Sequence, residues 1–112
     1  MPNEEFKIIT CVLYPGGGTK VLEALWNRGV TTGNTSYARG SAMGDPIGKD
    51  GIPVQFEKEI LTAIVRGSEA DEIFELVFEV AEINRPHGGF LYMETLRRSV
   101  PHPLPSLPLQ DD

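Results

Sequence analysis

The chain alternates between short apolar runs and glycine- or proline-rich breaks. Phe6 to Tyr14 (FKIITCVLY) is almost continuously apolar and β-branched, and Pro15 with three glycines ends it, which predicts a strand. Thr19 is a candidate N-cap, and Val21, Leu22, Leu25 and Trp26 recur at helical spacing until Gly29, with Trp26 expected in the core. A polar strand is predicted from Val30 to Ala38. Phe56 to Val65 (FEKEILTAIV) makes a third strand, alternating in its first half and solidly apolar in its second.

Ser68 is positioned to cap a second helix, with Glu69, Asp71 and Glu72 in the first turn, where the helix dipole favours negative charge. Ile73, Phe74, Leu76, Val77, Val80, Ala81 and Ile83 carry its apolar stripe down to Asn84, and Pro86 with Gly88-Gly89 stops it. Phe90 to Leu96 reads as a fourth strand, extendable through Arg97-Arg98-Ser99-Val100. Prolines at 101, 103, 105 and 108 then forbid helix and sheet interior, so residues 101–112 are expected to form an extended tail.

The order β-α-β-β-α-β is the ferredoxin-like split unit, an α+β fold with an antiparallel sheet. Two helices cover one sheet face. The first and third strands are apolar at both parities, so the other face needs a cover, and self-association supplies one: each ~100 Å² of apolar area removed from water is worth roughly 2.5 kcal/mol. The second feature is the stretch between Arg39 and Phe56. Connections longer than about 12–15 residues are uncommon in compact domains and are usually functional or disordered. Function is expected at this loop.

Composition narrows the setting. At 112 residues there is room for one domain, spanning 1–100, and one modest core. A net charge of −6 argues against nucleic acid as a partner, since phosphate neutralisation needs a basic surface. The lone Cys11 excludes an internal disulfide and a cysteine-based zinc site and fits a reducing compartment. No apolar run approaches the roughly 18 residues of a membrane span, and the acidic Met1–Glu5 start lacks the order of a secretory signal, so a cytoplasmic protein is expected.

Chemistry is sparse. Gly16-Gly17-Gly18-Thr19-Lys20 evokes a phosphate loop at a helix start but lacks the G-x-x-x-x-G-K-[ST] spacing, so a strand-to-helix turn is the preferred reading. The carboxylates Glu69 to Glu82 fall on a solvated helix face. With two histidines, neither beside a Ser or Cys nucleophile, no catalytic constellation forms, and a non-enzyme without a cofactor is expected.

Several details then resemble the PII family of trimeric signalling proteins from Lys7 to about Val100. They are a strand ending in Pro15, a helix Val21-Leu22-Glu23-Ala24-Leu25 closing at Gly29-Val30-Thr31, a strand ending in Arg39-Gly40 at the root of a long loop, Gly88-Gly89 before the last strand, and the pair Arg97-Arg98. The resemblance implies a homotrimer with adenine nucleotide in the clefts between subunits. A loop at about 41–55 (the T-loop) and the loop before the last strand (the B-loop) would close over the ligand. By position, Asn34, Thr62 and Ile64 would lie near the adenine. Arg39, Gly40 and Ser41 would meet phosphates at the loop root, and His87, Gly88, Gly89, Arg97 and Arg98 would line the rest. A target protein, such as a transporter, would read the loop.

The departures shape the ligand. Gly89 stands where the family carries a phosphate-gripping lysine, and Val100 and His102 stand where it has two arginines. Fewer cations weaken the grip on a γ-phosphate most, so ADP or AMP is expected over ATP. The loop has no tyrosine between Gly40 and Phe56 to carry a uridylyl group. Relatives linked to inorganic-carbon uptake or carboxysomes respond to bicarbonate with a nucleotide, and this subgroup is one reading. The alternatives are a metal-responsive trimer like the divalent-cation tolerance family, a dimeric ferredoxin-like enzyme, and an adaptor working through its Pro-rich tail.

Overall fold

The computed structural model describes residues 5–40, 46–52, 54, 56–86 and 88–97. The elements are β1 (Phe6–Leu13), α1 (Gly18–Asn27), β2 (Asn34–Gly40), β3 (Phe56–Arg66), a 3₁₀ turn (Gly67–Glu69), α2 (Ala70–Val80) and β4 (Phe90–Thr95). The four strands form one antiparallel sheet in the order β2-β3-β1-β4. This is the expected ferredoxin-like arrangement. The tail at 101–112, and with it Ser41, His87 and Arg98, lies outside the described residues.

Strand parity builds the core. Side chains alternate faces along a strand, and the odd positions of β1 and β3 (Ile9, Cys11, Leu13, Leu61, Ala63, Val65) turn inward and are buried. They pack against Val21 and Leu25 of α1 and Ile73 and Val77 of α2. The two helices run antiparallel and are bridged at both ends, Lys20 Nζ to Glu82 Oε2 at 3.0 Å and Arg28 Nη2 to Glu72 Oε2 at 2.6 Å. The even parity leaves an uncovered sheet face on which Ile64, Phe90 and Tyr92 are 43%, 59% and 38% exposed.

Several boundaries differ from the sequence expectation. β2 starts at Asn34 rather than Val30 and runs on through Gly40. Thr19 lies inside α1, whose N-cap is Gly17, and Ser68 sits within the 3₁₀ turn, so neither hydroxyl caps a helix. Trp26 is 66% exposed and takes no part in the core. Helix α2 ends at Val80, four residues short of Asn84. Glu82 adopts φ 56, while the N–H of Glu82 donates to the Glu79 carbonyl and that of Ile83 to Phe78. That is a Schellman stop. α1 ends the same way, with Gly29 at φ 86 and the Val30 N–H reaching the Leu25 carbonyl.

Candidate functional site

The residues singled out in the sequence fall into two groups on opposite edges of the sheet. At the β2 edge, Asn34 lies opposite Thr62, whose hydroxyl donates to Asn34 Oδ1 at 3.2 Å. One step along, the Thr32 hydroxyl donates to the Ile64 carbonyl at 2.6 Å and accepts the Ile64 N–H at 3.0 Å. A threonine side chain thus continues the ladder where β2 has not yet begun. Further along β2, exposed Arg39 lies opposite Glu57 and Gly40 opposite Phe56, at the loop root.

The second group belongs to the β4 edge. Gly88 donates its N–H to the Arg85 carbonyl at 2.9 Å. Gly89 adopts φ +113, and a Cβ there would overlap the Val12 carbonyl oxygen, so the glycine is demanded by the close approach of this connection to β1. Arg97 is exposed just beyond β4, at the opposite end of that strand from Gly88 and Gly89, so the chain does not bring them together. Three interstrand steps separate β2 from β4, about 14 Å at the usual spacing. Within one chain the two groups therefore do not meet.

Charges that the sequence reading passed over organise the loop-root end. Glu57, Lys58 and Glu59 are consecutive in a strand, so alternation must turn at least one inward. Lys58 lies on the open sheet face yet is only 8% exposed, with Nζ 4.0 Å from the centre of the Tyr14 ring and 5.5 Å from that of Phe56. Glu59, on the helix face, accepts the N–H groups of Gly16 and Gly18 at 3.1 and 3.0 Å. The glycine turn that evoked a phosphate loop thus holds a carboxylate of its own chain, in line with the turn reading. β3 grips the Tyr14–Gly18 segment from both sides.

A cleft of about 360 Å³ opens between this turn, Lys20 and the Ala81–Gly88 connection, with Arg85 on its rim. Lys20, by hydrogen bond and charge, with help from Arg85, holds the Glu82 carboxyl below its ordinary value. Burial pushes the Cys11 thiol up to about 12, which keeps it protonated and unreactive. Among the described residues no cluster of three or more His, Cys, Asp or Glu side chains could hold a metal. Among the described residues no helix is long and apolar enough to cross a membrane.

No family model matches the chain, and no curated protein matches it in sequence. Solved structures do. Arabidopsis thaliana PII bound to citrate superposes with a TM-score of 0.63 at 17% identity, over 83% of this chain and 76% of that one. B. subtilis GlnK gives 0.65 at 17% identity, over 83% and 86%. The B. subtilis GlnK-ATP complex gives 0.65 at 19% identity, over 82% and 83%. At these identities the likeness is one of fold, and it extends over more than four fifths of the chain: this chain has the PII fold.

Proposed function

We propose that the protein is a PII-like sensor, a homotrimer that binds adenine nucleotide in the seams between subunits and signals to a target protein through the loop after β2. The observation that carries this reading is the split site. Asn34 and Arg39 lie on the β2 edge, with Thr62 and Ile64 on β3 beside it, while Gly88 and Gly89 precede the opposite edge strand, β4, and Arg97 follows it. The uncovered apolar face runs between them. Covering that face with copies of itself is favourable at ~25 cal/mol per Å² and brings one subunit's β2 edge toward the next subunit's β4 edge. One of the proteins similar to this chain in fold was solved as a complex with ATP.

The ligand preference follows from the cations. A lysine at position 89 is incompatible with the backbone there, which leaves the Arg39 side and Arg97 as anchors for phosphate. ADP or AMP is the preferred nucleotide, with bicarbonate a candidate second effector as in carbon-linked relatives, and the setting is cytoplasmic. The protein acts by binding rather than by catalysis.

Titration calorimetry with ADP, AMP, cyclic AMP and ATP tests this. ADP or AMP should bind with one site per chain and at least tenfold tighter than ATP. Arg39→Ala should weaken binding about tenfold, as losing one charge-assisted contact of ~1.4 kcal/mol requires. Binding by Arg39→Ala equal to that of the parent would contradict the assignment.

A further inference from the structure

The outer side of β4 is a sheet edge with a defined set of hydrogen-bonding groups. The Leu96 N–H donates to the Phe6 carbonyl of β1 at 2.9 Å. Backbone groups point to alternate sides along a strand, so Phe90, Tyr92 and Glu94 also face β1, while Leu91, Met93 and Thr95 direct their N–H and C=O groups outward, away from the sheet. A row of such groups on an edge is a template for a further strand. The edge is also apolar on its helix side. Leu91 and Met93 share a face with Cys11 and Ile9, which lie opposite them on β1, yet both are only half-buried. Right-handed crossovers set α1 above the β2 half of the sheet and α2 above the β4 half. The Arg28–Glu72 bridge turns position 72 toward α1. At about 3.6 residues per turn, half-buried Phe74 and Phe78 then lie on the opposite flank of α2, toward the β4 edge.

The chain's own continuation carries the complementary pattern. Beyond Arg97, where the backbone bends, prolines occupy positions 101, 103 and 105. Proline has no N–H and is accommodated in a strand on a sheet edge with its nitrogen turned outward. A spacing of two turns all three nitrogens to one side and leaves the N–H groups of His102, Leu104 and Ser106 for the other. Pro108 falls on the wrong parity and ends the pattern.

We propose that residues 100–106 add a fifth, outermost strand to the sheet, antiparallel to β4. A four-residue turn over 96–99 sets Val100 opposite Thr95, His102 opposite Met93 and Leu104 opposite Leu91. Residues directly opposite each other share a face. Leu104 therefore enters the apolar flank beside Leu91 and Phe78, while Pro103 packs against Tyr92 and Pro105 against Phe90, both exposed on the uncovered face. The three prolines also finish the sheet, because the outward positions of the new edge offer no N–H to another chain. This strand is independent of nucleotide binding. In the trimer proposed above it is the tail, rather than β4, that borders the seam.

Amide hydrogen exchange of the full chain, followed by NMR without nucleotide, tests the strand. The N–H groups of Leu91, Met93, His102 and Leu104 should exchange at least a hundredfold slower than exposed amides. Leu104→Pro, which removes an N–H facing β4, should speed exchange at Leu91 and Met93 more than tenfold and leave the core amides of Ile9 and Leu61 protected. Leu107→Pro, whose nitrogen faces outward, should change neither. Facing Hα atoms should give a cross-peak between Pro103 and Tyr92, and in a mixture of labelled and unlabelled chains it should arise within one chain. Fast exchange at Leu91 and Met93 in the parent protein would overturn the proposal. So would protection that survives Leu104→Pro, which would mean that another strand covers the edge, or a Pro103–Tyr92 contact between two copies.

Discussion

Glu59 holds Gly18 in place from 41 residues away: its Oε1 accepts the Gly18 N–H at 3.0 Å in a buried setting at the start of α1. The same oxygen holds Gly16 at 3.1 Å. An acceptor at a helix N-terminus satisfies orphan N–H groups and meets the positive end of the dipole. Here a strand residue does the work usually given to a cap side chain.

Replacing Glu59 by Ala strands the buried Gly18 N–H and the part-buried Gly16 N–H, a loss of roughly 1–3 kcal/mol. Gly18→Ala should also destabilise, although alanine is the better helix former by about 1 kcal/mol. Its Cβ would overlap the Glu59 carboxylate. Urea midpoints of the two variants check both, and a Gly18→Ala protein more stable than the parent would show that the carboxylate moves aside freely.

Glu82 makes stability pH-dependent in a defined direction. Its folded pKa is depressed, chiefly by the hydrogen bond and charge of Lys20. The stabilisation is therefore complete above the unfolded carboxylate value and is lost as pH falls through the lower folded value. Thermal unfolding followed from neutral pH down to below pH 4 should show this component in the parent protein and a smaller one in Lys20→Met. Glu82→Gly, which suits φ 56, should keep the helix stop while removing the pH component.

Cys11 should resist alkylation in the native state. Its thiol is buried and raised to about 12, so at pH 8.5 the thiolate is scarce and sheltered. Iodoacetamide should label it only as fast as the sheet opens, and quickly in urea. Because the unfolded thiol ionises at a lower pH than the folded one, stability attributable to Cys11 should fall as pH rises above about 9.

Gly89→Lys introduces the lysine that the resemblance to PII proteins implies at this position, and it should harm the protein. At φ +113, against the Val12 carbonyl, any side chain is strained. A cost of about 2 kcal/mol or more is expected. Nucleotide affinity should fall rather than rise, as read by calorimetry beside urea unfolding.

The element order was legible because apolar periodicity and glycine or proline breaks are local signals, whereas β1 and β3, apolar at both parities, hid which of their faces turns inward. Strand order was not written locally, and with it went the knowledge that Asn34 and Gly89 sit on opposite edges. Glu59 beneath Gly16–Gly18 depends on the β1–β3 register, which pairs Leu13 with Glu59. Its one visible hint was three charges in a row in a strand. The early end of α2 needed a non-glycine residue at positive φ, which no pattern announces.

The split site demands that neighbouring copies complete each other, and native mass spectrometry of the full chain with added ADP reads this directly. The expected spectrum is a trimer carrying up to three ADP molecules, with Tyr92→Asp on the uncovered face giving a folded monomer that binds none. A parent protein that stays monomeric, or a monomer that binds ADP as tightly as the assembly, would contradict the account.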